Sequence, residues 1–273
     1  VLPIETVHLR RGGAEAWLAP TRGGLVTRFA VDGDDVLYLD EATLADATQN
    51  VRGGIPILFP IAGKLRPDTL PGATAPLRQH GFARNRAWQT IAVGPSEATL
   101  GLDADDGTRT AYPPEFALRC TVTLGERSLE FATRIENRGA TSLRAQPGLH
   151  PYFRVPDKAG ARVASRATQA WDNVAGARVP FDAAALRFDR GEVDLHLLDH
   201  AEPRTQLTRP GARDVLLEWS ADQRVLVLWT LPGRPFVCVE PWSAPANALH
   251  TGGALEVAPG GSHESRLTIA LAP

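Results

Sequence analysis

One carboxylate in this chain stands where a carboxylate is costly. Glu240 closes the apolar run Phe236-Val237-Cys238-Val239 and is followed by Pro241 and Trp242. Out of water such a group is driven toward its protonated form unless partners hold its charge. That shift brings a glutamate toward the pH at which it works as a general acid or base. A strand-end Glu facing solvent would fit the same local sequence. His150 is the second candidate. In GLHPYF the following proline forces an extended backbone at the histidine, and two aromatics beside it suit a pocket wall. A satisfied core histidine would also fit. The segment QHGFARNRAW adds His80, Arg84 and Trp88, a weaker signal when taken alone.

Strands joined by turns must position these residues. Gly (25) and Pro (22) are spread along all 273 residues, as expected for many short strands. Phe116, Leu118, Cys120, Val122 and Leu124 alternate with polar residues, as do Leu129, Phe131, Thr133 and Ile135. Period two on both sides of a short turn predicts a hairpin with one buried face. LVTRFAVDGDDVLYL predicts a second, turning at Asp32-Gly33. Further strands are expected at WQTIAV, EATLGL, DVLLEW, VLVLWTL, FVCVE and ESRLTIAL, and one short helix over Asp40 to Gln49, capped by Asp40. NVRGGIPILFPIAGKLR departs from this pattern. Its paired glycines and its prolines fix an irregular backbone where a plain strand would suffice. The expected class is all-β, a large antiparallel β-sandwich forming one domain over residues 1–273.

Composition narrows the chemistry. The net charge of −2, with no long basic run, argues against nucleic acid as a partner. No apolar stretch reaches the roughly 18 residues a membrane span needs, and the first residues lack the order of a signal peptide. A cytoplasmic protein is expected. Cys120 and Cys238 lie among alternating apolar residues and read as buried hydrophobes, not as a disulfide framework. His196 and His200 are spaced i, i+4 around Asp199, a metal-binding spacing only on a helix, whereas GEVDLHLLDH alternates like a strand or loop. No metal is expected. A glycosidase would need two facing carboxylates, and only Asp194 could be put forward as a partner for Glu240. The paired glycines at 12–13, 23–24 and 252–253 read as turns, and Arg10-Arg11 as solvated surface.

Four motifs, GGIPILFP, HGFAR, GLHPYF and VCVEPW, occur in the order and at the approximate spacing of the aldose 1-epimerase (galactose mutarotase-like) family, which the chain resembles over nearly its whole length. The resemblance implies a β-sandwich with a cleft on the concave face of one sheet. It implies His150 as general acid, Glu240 as general base, and His80, Arg52, Arg84 and Asp194 as substrate-binding residues. Asp194 is the best match to a family aspartate, and His196 stands where an aromatic or valine is usual. Some of the motifs resemble hexose-6-phosphate mutarotases and others resemble mutarotases of unphosphorylated aldoses. Such enzymes open the sugar ring by removing the anomeric hydroxyl proton and protonating the ring oxygen, then reclose it on the other face. No cofactor is needed. The expected partner is a small-molecule sugar or sugar phosphate, and the expected assembly is a monomer or homodimer. A non-catalytic carbohydrate-binding protein is the alternative.

Overall fold

In the computed structural model, which describes residues 4–273, the predicted alternation becomes a hairpin of strands Phe116–Leu124 and Ser128–Asn137. Residues 1–3, part of the segment searched for a leader, lie outside the description. The hairpin sits in an eight-stranded antiparallel sheet ordered Arg162–Val163, Arg204–Thr208, Val215–Trp219, Ser262–Leu271, Ser128–Asn137, Phe116–Leu124, Glu97–Asp103 and Gln89–Val93. Each of the six strands expected from sequence is present.

The second large sheet carries the site. It runs Ala177–Pro180, Gln169–Asp172, Val193–Leu197, Val225–Thr230, Phe236–Trp242, Gly148–Leu149, Ile57–Leu58, and Tyr152–Arg154 also pairs with Phe236–Trp242. One face of this sheet presents Leu195, Leu197, Leu226, Leu228, Val237 and Val239 to the first. They join Phe116, Leu118, Cys120, Val122, Leu129, Phe131 and Ile135 in one apolar core. The period-two rule then delivers the intervening residues to the opposite face. The architecture is the expected antiparallel β-sandwich, flanked by a four-stranded sheet (residues 7–35) and a two-stranded one.

Two local expectations are corrected. The turn at Asp32-Gly33 forms, with φ of 50° and 82°, but the returning arm is only Asp34–Asp35. Leu37 and Leu39 leave it to make single bridges to Phe153 and Gly53, tying this layer to the second sheet. The helix begins at its predicted cap, where the Asp40 carboxylate accepts from the Thr43 amide at 3.2 Å, but spans only Glu41–Ala45. Asp46 stops it by accepting from the Thr48 amide at 2.9 Å, the side-chain turn that competes with helix. Cys120 and Cys238 are buried and free. Among the described residues no helix is long and apolar enough to cross a membrane.

Candidate active site

Strand register builds the centre of the site. Gly148 faces Trp242 across the ladder and Tyr152 faces Cys238. His150, midway between Gly148 and Tyr152, therefore stands opposite Glu240, midway between Trp242 and Cys238. Pro151 interrupts the strand here. Its missing N–H and the extended backbone it imposes leave His150 between two short strands. Phe236, Cys238, Glu240 and Trp242 share the face turned away from the core. A row across the sheet follows from the other pairings: Trp171, His196, Val227, Glu240. A neighbouring row runs Asp194, Trp229, Cys238, Tyr152.

Glu240 is 1% exposed and His150 6%, so the solvent-facing reading of Glu240 does not hold. Trp242 Nε1 donates to Glu240 Oε2 at 3.1 Å, while Oε1 lies 3.3 Å from His150 Nδ1. The second pair is close but misaligned, and Nδ1 has no hydrogen-bond partner, a looseness common at unliganded acid–base pairs. Tyr152 stacks on the His150 ring, centroids 4.7 Å apart and planes within 7°. Burial pushes the Glu240 carboxyl well up, helped by the negative charge of Asp194 and opposed by Trp242 and Arg84. Burial, then Arg84, brings His150 down to about 3. Both shifts favour uncharged groups, with the pair's single proton on Glu240.

His80 reaches the same place from the irregular segment. Gly63 and His80 bind each other reciprocally: the His80 amide donates to the Gly63 carbonyl at 2.7 Å, and the Gly63 amide donates to His80 Nδ1 at 3.0 Å. A ring nitrogen that accepts cannot also carry a proton, so His80 is neutral with its proton on Nε2, which lies 3.2 Å from the Gln79 side-chain amide. Burial and Arg84 lower its pKa well below the usual range in agreement. His80 and Gly81 both have left-handed backbones, φ 66° and 67°. At Gly81 a Cβ would lie 2.2 Å from the Phe59 carbonyl oxygen, which explains the HG dipeptide. Gln146 anchors this loop, donating to the Ala62 carbonyl at 2.8 Å.

The cleft has a volume of about 790 Å³ and brings together every predicted site residue: Arg52, His80, Arg84, His150, Asp194 and Glu240. Arg84 donates to the Gln79 carbonyl at 3.0 Å, and its buried Nε has no partner. Asp194 Oδ1 accepts from Asn173 Nδ2 at 2.9 Å, and Trp171 Nε1 donates to Asn173 at 3.1 Å. Tyr152, one of the two aromatics beside His150, lines the cleft as expected, whereas sequence reasoning did not single out Lys64, Arg66, Trp171, Asn173 or Trp229, which also line it. His196 faces the cleft, with its ring 4.9 Å from Trp242. His200 instead bonds Ser165 at 2.9 Å and packs on Trp219, so the two are not one ligand set. Among the described residues the group able to offer three metal ligands is His150, Cys238 and Glu240, within 4.8 Å of one another. Burial keeps the Cys238 thiol well above its usual pKa, and thus in the protonated form that binds metal poorly.

The site is thus a buried imidazole–carboxylate pair at the floor of a polar cleft, on one sheet of a large antiparallel sandwich. Residues 5–270 match the aldose 1-epimerase family, and the chain belongs to that family. It is 34% identical to the Slr1438 protein from Synechocystis sp. PCC 6803, with a TM-score of 0.95, covering 99% of this chain and 96% of that one. Protein LacX of Lactococcus lactis is 26% identical over 271 residues, 88% of each chain. The Cenchrus ciliaris protein named "Putative glucose-6-phosphate 1-epimerase" is 28% identical over 250 residues, 80% of this chain and 72% of that one.

Proposed function

We propose that this protein is a cofactor-free mutarotase that interconverts the α and β anomers of an aldose by general acid–base ring opening. The observation that carries the reading is the opposition of His150 and Glu240 in the ladder, 3.3 Å apart at the floor of the cleft. The pair holds one proton. With that proton on His150 and Glu240 anionic, Glu240 takes the proton of the anomeric hydroxyl while His150 protonates the ring oxygen. Opening leaves Glu240 protonated and His150 neutral, the form burial already favours. The open aldehyde turns about its C1–C2 bond, and the reverse transfers close the ring on its other face. The neutral His80 Nε2–H and Arg84 donate to the substrate oxygens and hold them in place.

The test follows pure anomers by exchange NMR. Glu240→Gln and His150→Asn should each lose about 10²–10⁴ in kcat while keeping the fold. Activity above about a tenth of wild type in either variant would remove that residue from its role. A wild-type rate equal to the solvent background would favour a sugar-binding protein without turnover.

A phosphorylated aldose is favoured over a neutral one by the cleft's basic wall. Arg52, Lys64 and Arg66 line it, and no carboxylate among the described residues pairs with them. A guanidinium fork suits a phosphate dianion, and a relative is named as a glucose-6-phosphate 1-epimerase. A charged hydrogen bond contributes about 1.5–3 kcal/mol. Arg52→Ala should therefore raise KM for glucose 6-phosphate by about tenfold to 150-fold and barely change that for glucose. A preference for free glucose, unchanged by the substitution, would leave a plain aldose mutarotase.

A further inference from the structure

We infer that His196 is a specificity-determining residue that binds one sugar hydroxyl beside the one taken by Asp194; this rests on the mutarotase reading of the same cleft. The Val193–Leu197 strand sends Val193, Leu195 and Leu197 into the apolar core and turns Asp194 and His196 to the cleft. His196 is 8% exposed, yet its ring makes no hydrogen bond to any described residue. Its nearest carboxylate oxygen, Asp194 Oδ1, stands 3.8 Å from Nε2, too far to count as one. Around it stand the edge-on Trp242 ring at 4.9 Å and 72° and, on the two neighbouring strands, Val227 and Trp171. An aromatic or aliphatic side chain would fill that space without a polar group, whereas an imidazole with no protein hydrogen bond presents its nitrogens to whatever occupies the cleft.

The neighbouring groups define what that partner is. Asp194 already uses Oδ1 to accept from Asn173, and Oδ2 remains free as an acceptor. Burial lowers the His196 pKa to about 4, so at neutral pH the ring offers one donor and one acceptor. Asp194 lies beside it and Glu240 along its row, and His80, Arg84, His150, Lys64 and Glu192 are further ionisable groups lining the same cleft. An acceptor and an adjacent donor–acceptor match two neighbouring hydroxyls, each of which both donates and accepts. His196 is separated from Glu240 by one strand, Val225–Thr230, so their Cα atoms stand about 9–10 Å apart at normal strand spacing. A pyranose with its anomeric centre on Glu240 then points a hydroxyl remote from the opening bond toward His196. The contribution falls on binding and not on proton transfer.

The test is a deoxy-sugar panel. Mutarotation is measured for whichever of glucose, galactose or their 6-phosphates turns over fastest, and for its 2-, 3- and 4-deoxy analogues. Wild type is compared with His196→Phe, which fills the space, and His196→Gln, which keeps hydrogen-bonding capacity. His196→Phe should raise KM for the parent sugar about twofold to twelvefold, the range of one neutral hydrogen bond, with kcat within about twofold. For one deoxy analogue the substitution should change nothing, and His196→Gln should recover part of the loss. A KM change equal across all analogues would reduce His196 to cleft wall, and an unchanged KM or a collapse of kcat would also overturn the assignment. If wild type shows no mutarotation, the enzymatic reading fails by itself. Calorimetric titration of the same sugars then decides whether His196 selects a hydroxyl.

Discussion

Acid should unfold this protein sooner than its carboxylates alone require. His80, His150 and His196 are all held neutral by burial, with pKa values driven well below the usual range, to about 3 and to about 4 respectively. Released into the unfolded chain they titrate near 6.5. Between pH 6.5 and about 4 the unfolded state therefore binds protons that the native state refuses, and stability falls as pH falls. Glu240 works the other way. Its raised pKa lets the native state keep a proton that the unfolded chain has released above about 4.5, a contribution that is lost as pH rises through the folded value. It offsets one histidine, leaving a net difference of about two protons, or about 2.7 kcal/mol per pH unit once fully developed. From pH 6.5 to 5.0 the loss integrates to about 3 kcal/mol, a large part of a typical ~5–15 kcal/mol. His200, also lowered by burial, adds in the same direction. Urea unfolding at pH 6.5, 5.75 and 5.0 measures it. His196→Phe should lower the slope by one proton, about 1.4 kcal/mol per unit. A wild-type stability that is flat over this window, or a variant as pH-sensitive as wild type, would refute the neutral-histidine cleft.

Two further outcomes follow from single contacts. Trp242→Phe removes the indole donor to Glu240 Oε2, a bond worth about 1.5–3 kcal/mol, and should raise the Glu240 pKa by about one to two further units. The acidic limb of kcat/KM then moves to higher pH, and an unmoved limb would mean that Glu240 is not the titrating base. Gly81→Ala forces a Cβ to within 2.2 Å of the Phe59 carbonyl oxygen at a φ of 67° and should cost at least about 2 kcal/mol. A melting temperature equal to wild type would show that the loop under His80 is not held as described.

The strands were legible because a period of two is a local signal, and Glu240 and His150 stood out as candidates because a carboxylate after four apolar residues and a His-Pro beside aromatics are local too. The opposition of His150 and Glu240 was not, since it depends on a ladder between segments ninety residues apart in the chain. For the same reason the sequence says nothing of the His80 tautomer, which is set by the amide of Gly63, seventeen residues away. Asp194 and His196 could both have been assigned to the cleft from Val-Asp-Leu-His-Leu alone, since alternation puts them on one face. Trp171 and Asn173 sit on an exposed hairpin whose sequence gives no sign that it folds over a cleft.

The spacing of His150 and Glu240 is set by hydrogen-bonded backbone and not by a loop, and this constrains how the chain can change its length. Insertions in the exposed Asn173–Gly176 turn would alter the rim and leave the chemistry standing. A single residue added within Phe236–Trp242 would rotate that strand by one side chain. Val237, Val239 and Pro241 would then face the cleft, and the Glu240 carboxylate would be driven into the apolar core. Relatives that keep the activity should therefore differ freely in the length of the surrounding turns, while the stretches carrying His150 and Glu240 stay the same number of residues long.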